Sequence, residues 1–362
     1  MNDKKSKKVL IGMSGGVDSS VSTALLKKQG FDVRGIFLKL WKANGEEENK
    51  KALADVKRIV KILDIPLTII DAQKRFKKEV VGYFLQEYKA GRTPNPCIFC
   101  NENLKFKILF EMADKLKIDY ISTGHYARIA ECCGLNADRR GRKRILKLLE
   151  AKDKNKDQSY FLYRLKQEQL ARIIFPLGEY KKEEVKKMAK KFDLPISEKK
   201  ESQDICFLAG KTVEEFLTKN IKLKKGKIID TSGEVVGEHL GLPLYTLGQR
   251  KGINIGGTGP YYVVKKDVKK NCLTATNKKE DLFLFSKFAN LKEVSWISAR
   301  PKLPAKILAR IRYQSPLIWA VIGIKHKKYE IKFNIAQRAV TAGQSVVFYN
   351  KKEEVLGGGL IL

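Results

Sequence analysis

The chain has 362 residues, long enough for two or three domains, and 43% of them are hydrophobic, enough for real cores. No run approaches the roughly 18 apolar residues of a membrane span, so no membrane-embedded part is expected. The formal charge of +33 favours polyphosphate partners, nucleic acid above all, although 57 of the 73 basic residues are lysines spread along the whole chain, as a lysine-rich proteome would also produce.

The basic N-terminus, Met1 to Lys8, precedes only five apolar residues, too few for a signal-peptide core, and a cytoplasmic protein is expected. Those residues, Val9-Leu10-Ile11-Gly12-Met13, read as a buried strand, and Ser20 to Leu26 reads as a helix. Between them lies Ser14-Gly15-Gly16-Val17-Asp18-Ser19-Ser20. A glycine pair lets the backbone approach a ligand closely. The helix start adds unpaired N–H groups and the positive end of a dipole, which together suit a phosphate. Neither a Walker lysine nor a G-x-G-x-x-G spacing is present, which argues against GTPase and dinucleotide sites. The stretch resembles the pyrophosphate-binding loop, S-G-G-x-D-S, of enzymes that split ATP into AMP and pyrophosphate. The plainer alternative is a Ser/Gly-rich turn that caps a helix.

Further along, Val33 to Leu38 is a second strand, Glu47 to Leu63 a polar-faced helix, Pro66 to Ile70 a third strand and Phe76 to Tyr88 a helix. After a proline-rich loop, Leu104 to Leu116 is helical and Tyr120 to Thr123 is a strand. Strands alternating with such helices predict an α/β fold with a doubly wound parallel sheet, whose ligands bind beyond the carboxyl ends of its strands. The glycine loop and Gly124-His125 both fall at such ends, so one site can hold both. From Lys211 onward short strands and turn signals take over. Thr231-Ser232-Gly233-Glu234 is a hairpin turn, and Ile253 to Pro260 is a glycine-rich loop. From about Leu282, alternating segments such as Lys306 to Tyr313, Trp319 to Ile324 and Ser345 to Tyr349 predict a small antiparallel β-barrel. The expected units are residues 1–209, an ATP-binding catalytic domain; 210–280, a small central α+β domain; and 281–362, the barrel.

Six cysteines in a chain this long, four of them in close pairs, do not make a secreted disulfide framework. In a reducing compartment Cys-x-x-Cys points to metal or redox chemistry. In Gly91-Arg92-Thr93-Pro94-Asn95-Pro96-Cys97-Ile98-Phe99-Cys100-Asn101 two prolines stiffen the loop. Cys100 is expected at the start of the next helix, where the helix N-terminus lowers a thiol pKa. Cys206 lies far downstream in Glu201-Ser202-Gln203-Asp204-Ile205-Cys206-Phe207. Cys272, Cys132 and Cys133 are expected to be structural, the last two in a hairpin-like insertion with basic flanks.

Several motifs occur in fixed order: the glycine loop, Thr93-Pro94-Asn95-Pro96, Cys100-Asn101, Gly124-His125-Tyr126-Ala127-Arg128, Lys156-Asp157-Gln158-Ser159-Tyr160, Ser202 to Phe207, and Leu247-Gly248-Gln249-Arg250-Lys251-Gly252. Together they resemble the bacterial tRNA-specific 2-thiouridylases from about residue 8 to the C-terminus. The resemblance implies a PP-loop, HUP-like first domain and a tRNA-binding barrel, with ATP and Mg²⁺ as cofactors. It implies tRNA and a sulfur donor, a cysteine desulfurase or sulfur-relay protein, as partners. The reaction it implies is 2-thiolation of the wobble uridine. The uridine O2 is a poor leaving group; transfer of AMP to it makes a good one, and a sulfur nucleophile at C2 then displaces AMP. In the family the cysteine matching Cys206 carries sulfur as a persulfide. The one matching Cys100 is the nucleophile that helps release the sulfur by forming a disulfide. Gly12, Met13, Ser14, Gly15, Gly16, Val17, Asp18 and Ser19 would line the ATP phosphates, Asp18 helping to place Mg²⁺, while Leu38 and Gly124 would flank the adenosine. Cys97, Ile98, Phe99, His125, Lys156, Asp157, Gln158, Arg312, Tyr313 and Gln344 match tRNA-facing positions.

Cys97 departs from the commoner pattern, in which an aspartate there is the proposed proton acceptor; a thiol substitutes only with a lowered pKa. Cys97, Cys100 and Cys206 are also a ligand set for a [4Fe-4S] cluster with one iron left open, and a spare redox thiol is the plainer alternative. Two other functions share the loop. An amide-forming ligase of the argininosuccinate or GMP synthetase kind needs neither the Cys100–Cys206 pair nor a basic, β-rich C-terminal half. A non-catalytic RNA-binding protein would use the loop only to sense nucleotide.

Overall fold

The computed structural model describes residues 6–132, 145–195, 205–253, 255–256 and 259–362. The first part of the chain runs β1 (Lys8–Gly12), α1 (Val17–Lys28), β2 (Asp32–Lys39), α2 (Glu47–Ile62), β3 (Leu67–Asp71), α3 (Gln73–Phe76), α4 (Gly82–Lys89), α5 (Pro96–Cys100), α6 (Phe106–Lys115) and β4 (Tyr120–Ser122). The strands β5 (Arg128–Cys132) and β6 (Ile145–Leu149) follow, then α7 (Gln167–Leu170), β7 (Ile173–Ile174) and α8 (Lys182–Lys191). Five strands form a parallel sheet in the order β3-β2-β1-β4-β7. The chain winds outward from β1 on one side and returns through β4 on the other, so the switch point lies between those two strands.

The pleat of β1 explains both layers. Val9 and Ile11 turn to one face, against Val21 and Leu25 of α1 and Val56 of α2, while Leu10 turns to the other, against Phe106 and Leu109 of α6. All of these are buried, and each large apolar side chain so placed contributes on the order of 1.5–3 kcal/mol.

After α9 (Val213–Asn220), a four-stranded sheet is built from β8 (Gly226–Ile229), β9 (Val235–His239), β10 (Tyr262–Asp267) and β11 (Cys272–Thr276), in the order β10-β11-β8-β9. The hairpin turn expected at Thr231–Glu234 joins β8 to β9, with the Asp230 carboxylate accepting from the N–H groups of Ser232, Gly233 and Glu234. Cys272 opens β11 as a half-buried free thiol. Cys133 and parts of the 253–260 loop lie outside the described residues.

The last six strands are β12 (Phe285–Trp296), β13 (Ala305–Arg310), β14 (Ile318–Lys325), β15 (Lys328–Arg338), β16 (Ser345–Tyr349) and β17 (Glu354–Ile361). They run β12-β15-β14-β13-β16-β17, and a β12–β17 pairing closes them into a barrel. Alternate residues, among them Leu291, Ile307, Ala309, Ile322, Ile331, Phe333, Val346 and Phe348, fill its interior. The barrel is not self-contained. β6 pairs with Glu354 and Val355 of β17, extending the sheet by a hairpin from the first part of the chain. Where β12 leaves the edge of β17 unpaired, β6 takes it, which removes an exposed strand edge. Among the described residues no helix is long and apolar enough to cross a membrane.

Candidate active site

The loop after β1 supplies the first half of the site. Gly15 adopts φ +72°, and a Cβ there would lie 2.7 Å from the Ala52 carbonyl oxygen, so the position requires glycine. Gly16 is the N-cap of α1 and brings no side chain to the first-turn N–H groups, which leaves the capping role to a ligand oxygen. Ser19 fixes the loop: its Oγ accepts from Ser14 N at 3.2 Å and donates to Gly16 O at 3.1 Å. Met13 and Val17 are core side chains, so only their backbone can face a ligand. Leu38, half-buried at the end of β2, packs against both Ile70 and the α6 side of the sheet. Asp18, in the first turn of α1, is a third exposed. Its two carboxylate oxygens accept from Lys182 Nζ at 2.7 and 2.8 Å, and Oδ1 also accepts from the Tyr126 hydroxyl at 2.7 Å. The carboxylate thus already holds a cation, and with the open helix start it fits a magnesium-bound pyrophosphate.

The second half is a thiol pocket. Asn95 Oδ1 accepts from Cys97 N at 3.1 Å and Ile98 N at 3.4 Å, and Pro96 takes the first position of α5. The helix therefore starts before Cys97, and Cys100 ends it one turn later instead of opening it. The expected lowering of the Cys100 pKa by a helix start is overturned: the side chain is 4% exposed, and burial pushes its thiol up to about 12. Burial, with the neighbouring Cys206, pushes Cys97 up to about 11. A π-helical stretch, Asn101–Lys105, follows Cys100 and joins α5 to α6, a feature the helical pattern did not reveal.

Lys105 ends that stretch, and its charge draws both thiols back down. Burial opposes the charge on its ammonium, but Cys100, Cys206 and Cys97 together outweigh burial and raise its pKa. Among the described residues no ion pair or hydrogen bond engages that ammonium. Sequence reasoning assigned Lys105 no role; its spacing of five from Cys100 puts it beside the thiols only through the π turn.

Cys206 arrives more than a hundred residues later. Lys42 Nζ donates to its carbonyl at 2.6 Å and Ala43 N donates to the Phe207 carbonyl at 2.9 Å, which ties its turn to the end of β2. The Phe207 ring packs edge-on against Phe76, Phe84 and Phe216, the last from α9. Cys206 is half-buried against the same apolar cluster that holds Cys100. Cys97, Cys100 and Cys206 are all free thiols, with no Cys100–Cys206 disulfide. Ser202, Gln203 and Asp204 lie outside the described residues. Among the described residues no three His, Cys, Asp or Glu side chains are arranged to hold one metal ion.

Three consecutive residues after β4 join the halves. A Cβ on Gly124 would lie 2.8 Å from Ser19 N, so the strand end abuts the phosphate loop directly. The ring of His125 stacks on Phe106 at 5.9 Å, with Nδ1 2.8 Å from Thr123 Oγ1. Burial, then the nearby Lys105 charge, holds its pKa at about 3, so the ring is neutral at neutral pH. Tyr126 reaches back to Asp18.

The expected tRNA positions fall into two kinds. Lys156, Gln158, Arg312 and Tyr313 share one region, although the two pairs lie far apart in the sequence. The Tyr313 ring lies 4.5 Å from Phe161, and Gln314 Nε2 donates to the Asn155 carbonyl at 3.2 Å. Arg312 is exposed and donates to the Arg338 carbonyl at 2.9 Å. Gln158 Oε1 accepts from Tyr126 N at 3.0 Å. Asp157 and Ile98 are buried, at 2% and 3% exposure. The Asp157 carboxylate accepts from Ala151 N, Ser159 N and Ser159 Oγ, and burial raises its pKa, so it organises a turn. Phe99 stacks on Tyr83 at 4.2 Å. Gln344 Nε2 donates to the Thr93 carbonyl at 2.8 Å, Thr93 N donates to the Ala342 carbonyl at 2.9 Å, and Thr93 Oγ1 lies 3.1 Å from Thr246 Oγ1. The loop that feeds α5 is therefore held by residues from both later parts of the chain.

Residues 7–210 match a family described as a tRNA methyl transferase HUP domain, 214–276 a tRNA methyl transferase PRC-barrel domain, and 286–361 an aminomethyltransferase beta-barrel domain. Curated relatives match from end to end. The chain is 42% identical to the tRNA-specific 2-thiouridylase MnmA of Nitrosomonas europaea, covering 98% of each protein. It is 43% identical to that of Proteus mirabilis, over 100% of this chain and 98% of the relative. With the protein of the same name from Geobacillus thermodenitrificans the identity is 42%, over 98% and 94%. Three domain matches that follow one another from residue 7 to 361, and relatives 42–43% identical from end to end, place the chain: it is a member of the tRNA-specific 2-thiouridylase family.

Proposed function

We propose that the chain catalyses ATP-dependent 2-thiolation of the wobble uridine of tRNA in the cytoplasm, releasing AMP and pyrophosphate. The observation that carries the reading is the Gly124–Tyr126 segment, which touches the phosphate loop, the thiol pocket and Asp18 in three successive residues. A uridine adenylated on O2 at the loop would then meet sulfur without leaving the site. The thiol pocket also favours thiolation over the methyl transfer named in the family descriptions.

In this reading Asp18 would hold a Mg²⁺ ion, which would supply charge neutralisation for the pyrophosphate. Cys206 receives sulfur as a persulfide from a desulfurase or relay protein, and its half-exposed position leaves it open to that donor. Cys100, buried one turn from Cys97, attacks the persulfide, closes a disulfide with Cys206 and frees the sulfur to attack C2. The high thiol pKa values of the resting pocket keep Cys97 and Cys100 protonated near neutral pH, which protects them from stray oxidation. Lys105 serves as the counter-charge that stabilises each thiolate as it forms. A neutral His125 positions the flipped base by hydrogen bonding or stacking and does not grip phosphate. Lys156 and Arg312 lie with the tRNA backbone, and the net charge of +33 supplies long-range attraction.

The test measures AMP and pyrophosphate release by the full-length protein with and without tRNA, alongside 2-thiouridine in the digested tRNA. The reading predicts tRNA-dependent AMP release and thiolation together. Release of ADP and orthophosphate, or AMP formation indifferent to tRNA, contradicts it.

A further inference from the structure

The phosphate loop contains no lysine, yet the fold delivers one to it from 164 residues away. Lys182 is the first residue of α8 and is 6% exposed. Its main-chain N–H donates to Asp153 Oδ2 at 2.9 Å, which fixes where the side chain starts. The ammonium lies against both Asp18 oxygens and 5.8 Å from the centre of the Tyr126 ring. A cation in the first turn of a helix opposes the helix dipole, and near-complete burial removes its hydration. Neither cost serves the packing of α8, whose core contacts come from Val185 and Ala189. What the placement achieves is a positive charge at the mouth of the loop.

We propose that Lys182 is a pyrophosphate-binding cation of this site: without nucleotide it rests on both oxygens of Asp18, and when magnesium ATP binds, the metal takes the carboxylate and the ammonium moves to the phosphates. The inference rests on the reading of the Gly12–Ser19 loop as an ATP site. Mg²⁺ requires its oxygen ligands at about 2.0–2.1 Å in near-octahedral array, so in taking a carboxylate oxygen it competes with the ammonium for Asp18. The pyrophosphate that arrives with the metal offers the displaced ammonium more negative charge than Asp18 did. A lysine stem has the rotatable bonds for such a swing, and Tyr126 stays on Asp18 Oδ1 to keep the carboxylate oriented. The resting pair also keeps the buried ammonium neutralised between turnovers.

Calorimetric titration of the full-length protein with magnesium ATP, magnesium pyrophosphate and adenosine tests the assignment. Wild type must bind magnesium ATP; if it does not, the loop reading itself is wrong. Given that binding, the decisive comparison is Asp18→Asn against the double variant Asp18→Asn/Lys182→Met. Neither carries the Asp18 charge, so neither leaves that carboxylate unpaired. The double variant should bind pyrophosphate about tenfold more weakly, or worse, than Asp18→Asn, the effect of one charge-assisted hydrogen bond, with adenosine binding equal in the two. Equal pyrophosphate affinity means that Lys182 only neutralises Asp18 and overturns the proposal. A parallel loss of adenosine binding marks general damage to the fold and also overturns it.

Discussion

The phosphate loop is local, running through eight consecutive residues from Gly12 to Ser19, whereas the thiol pocket is assembled from Cys97–Lys105, His125 and Cys206. The loop's shape follows from a glycine at positive φ, a glycine N-cap and a serine that bonds its own loop. The pocket's shape follows from docking: Phe207 among three other phenylalanines, Lys42 on the Cys206 carbonyl, and Gln344 on Thr93. Apart from the contribution proposed for Lys182, anion binding should therefore survive changes elsewhere in the fold, while sulfur chemistry should be sensitive to all three parts of the chain.

The largest effect that would sharpen this contrast comes from the thiols. Cys206→Ser and Cys100→Ser should each cut 2-thiouridine formation to below about a thousandth of wild type, since each removes a covalent step. Magnesium ATP binding, measured in parallel, should be unchanged. Lost ATP binding in either variant would mean that the halves are one cooperative unit.

Lys105→Met is expected to slow thiolation by about ten- to a hundredfold through the lost counter-charge. It should also move the pH midpoint of alkylation of Cys97 and Cys100 upward, because the ammonium favours the thiolates. An unmoved midpoint would remove Lys105 from the pocket's electrostatics.

Gln344→Ala breaks one hydrogen bond to the loop that feeds α5, worth roughly 0.5–1.5 kcal/mol. Thiolation should fall by a few fold while magnesium ATP affinity holds, and equal losses in both would argue against a locally self-sufficient loop.

The last effect concerns acid. His125 is held near a pKa of about 3 against an ordinary 6.5, so the fold favours its neutral form. Its contribution is complete above pH 6.5 and is lost as the pH falls toward 3. His125→Asn should flatten the decline of the melting temperature over that window. A decline as steep as wild type would place the acid-labile group elsewhere.

The same contrast explains what the sequence revealed. Strand and helix periods exposed the parallel sheet, and Ser14–Ser20 exposed the phosphate loop, because both are encoded within a few residues. The motif order carried the family. Lys105 and Lys182 carried no local signal: one depends on a π turn, the other on a helix 164 residues from its partner. The burial of Asp157 and Ile98 is decided by tertiary packing, which no motif records. The loan of β5 and β6 to the barrel was likewise invisible, since strand pairing across the chain leaves no short-range mark.

Sulfur tracing tests the central claim most directly. Wild-type protein is loaded with isotopically labelled sulfur by a cysteine desulfurase, freed of donor, and given tRNA and magnesium ATP in a single turnover. The account predicts label first on Cys206, then in 2-thiouridine at the wobble position, with one AMP released per sulfur transferred and a Cys100–Cys206 disulfide left behind. Label that reaches tRNA without passing through Cys206, or transfer that proceeds without AMP release, would contradict it.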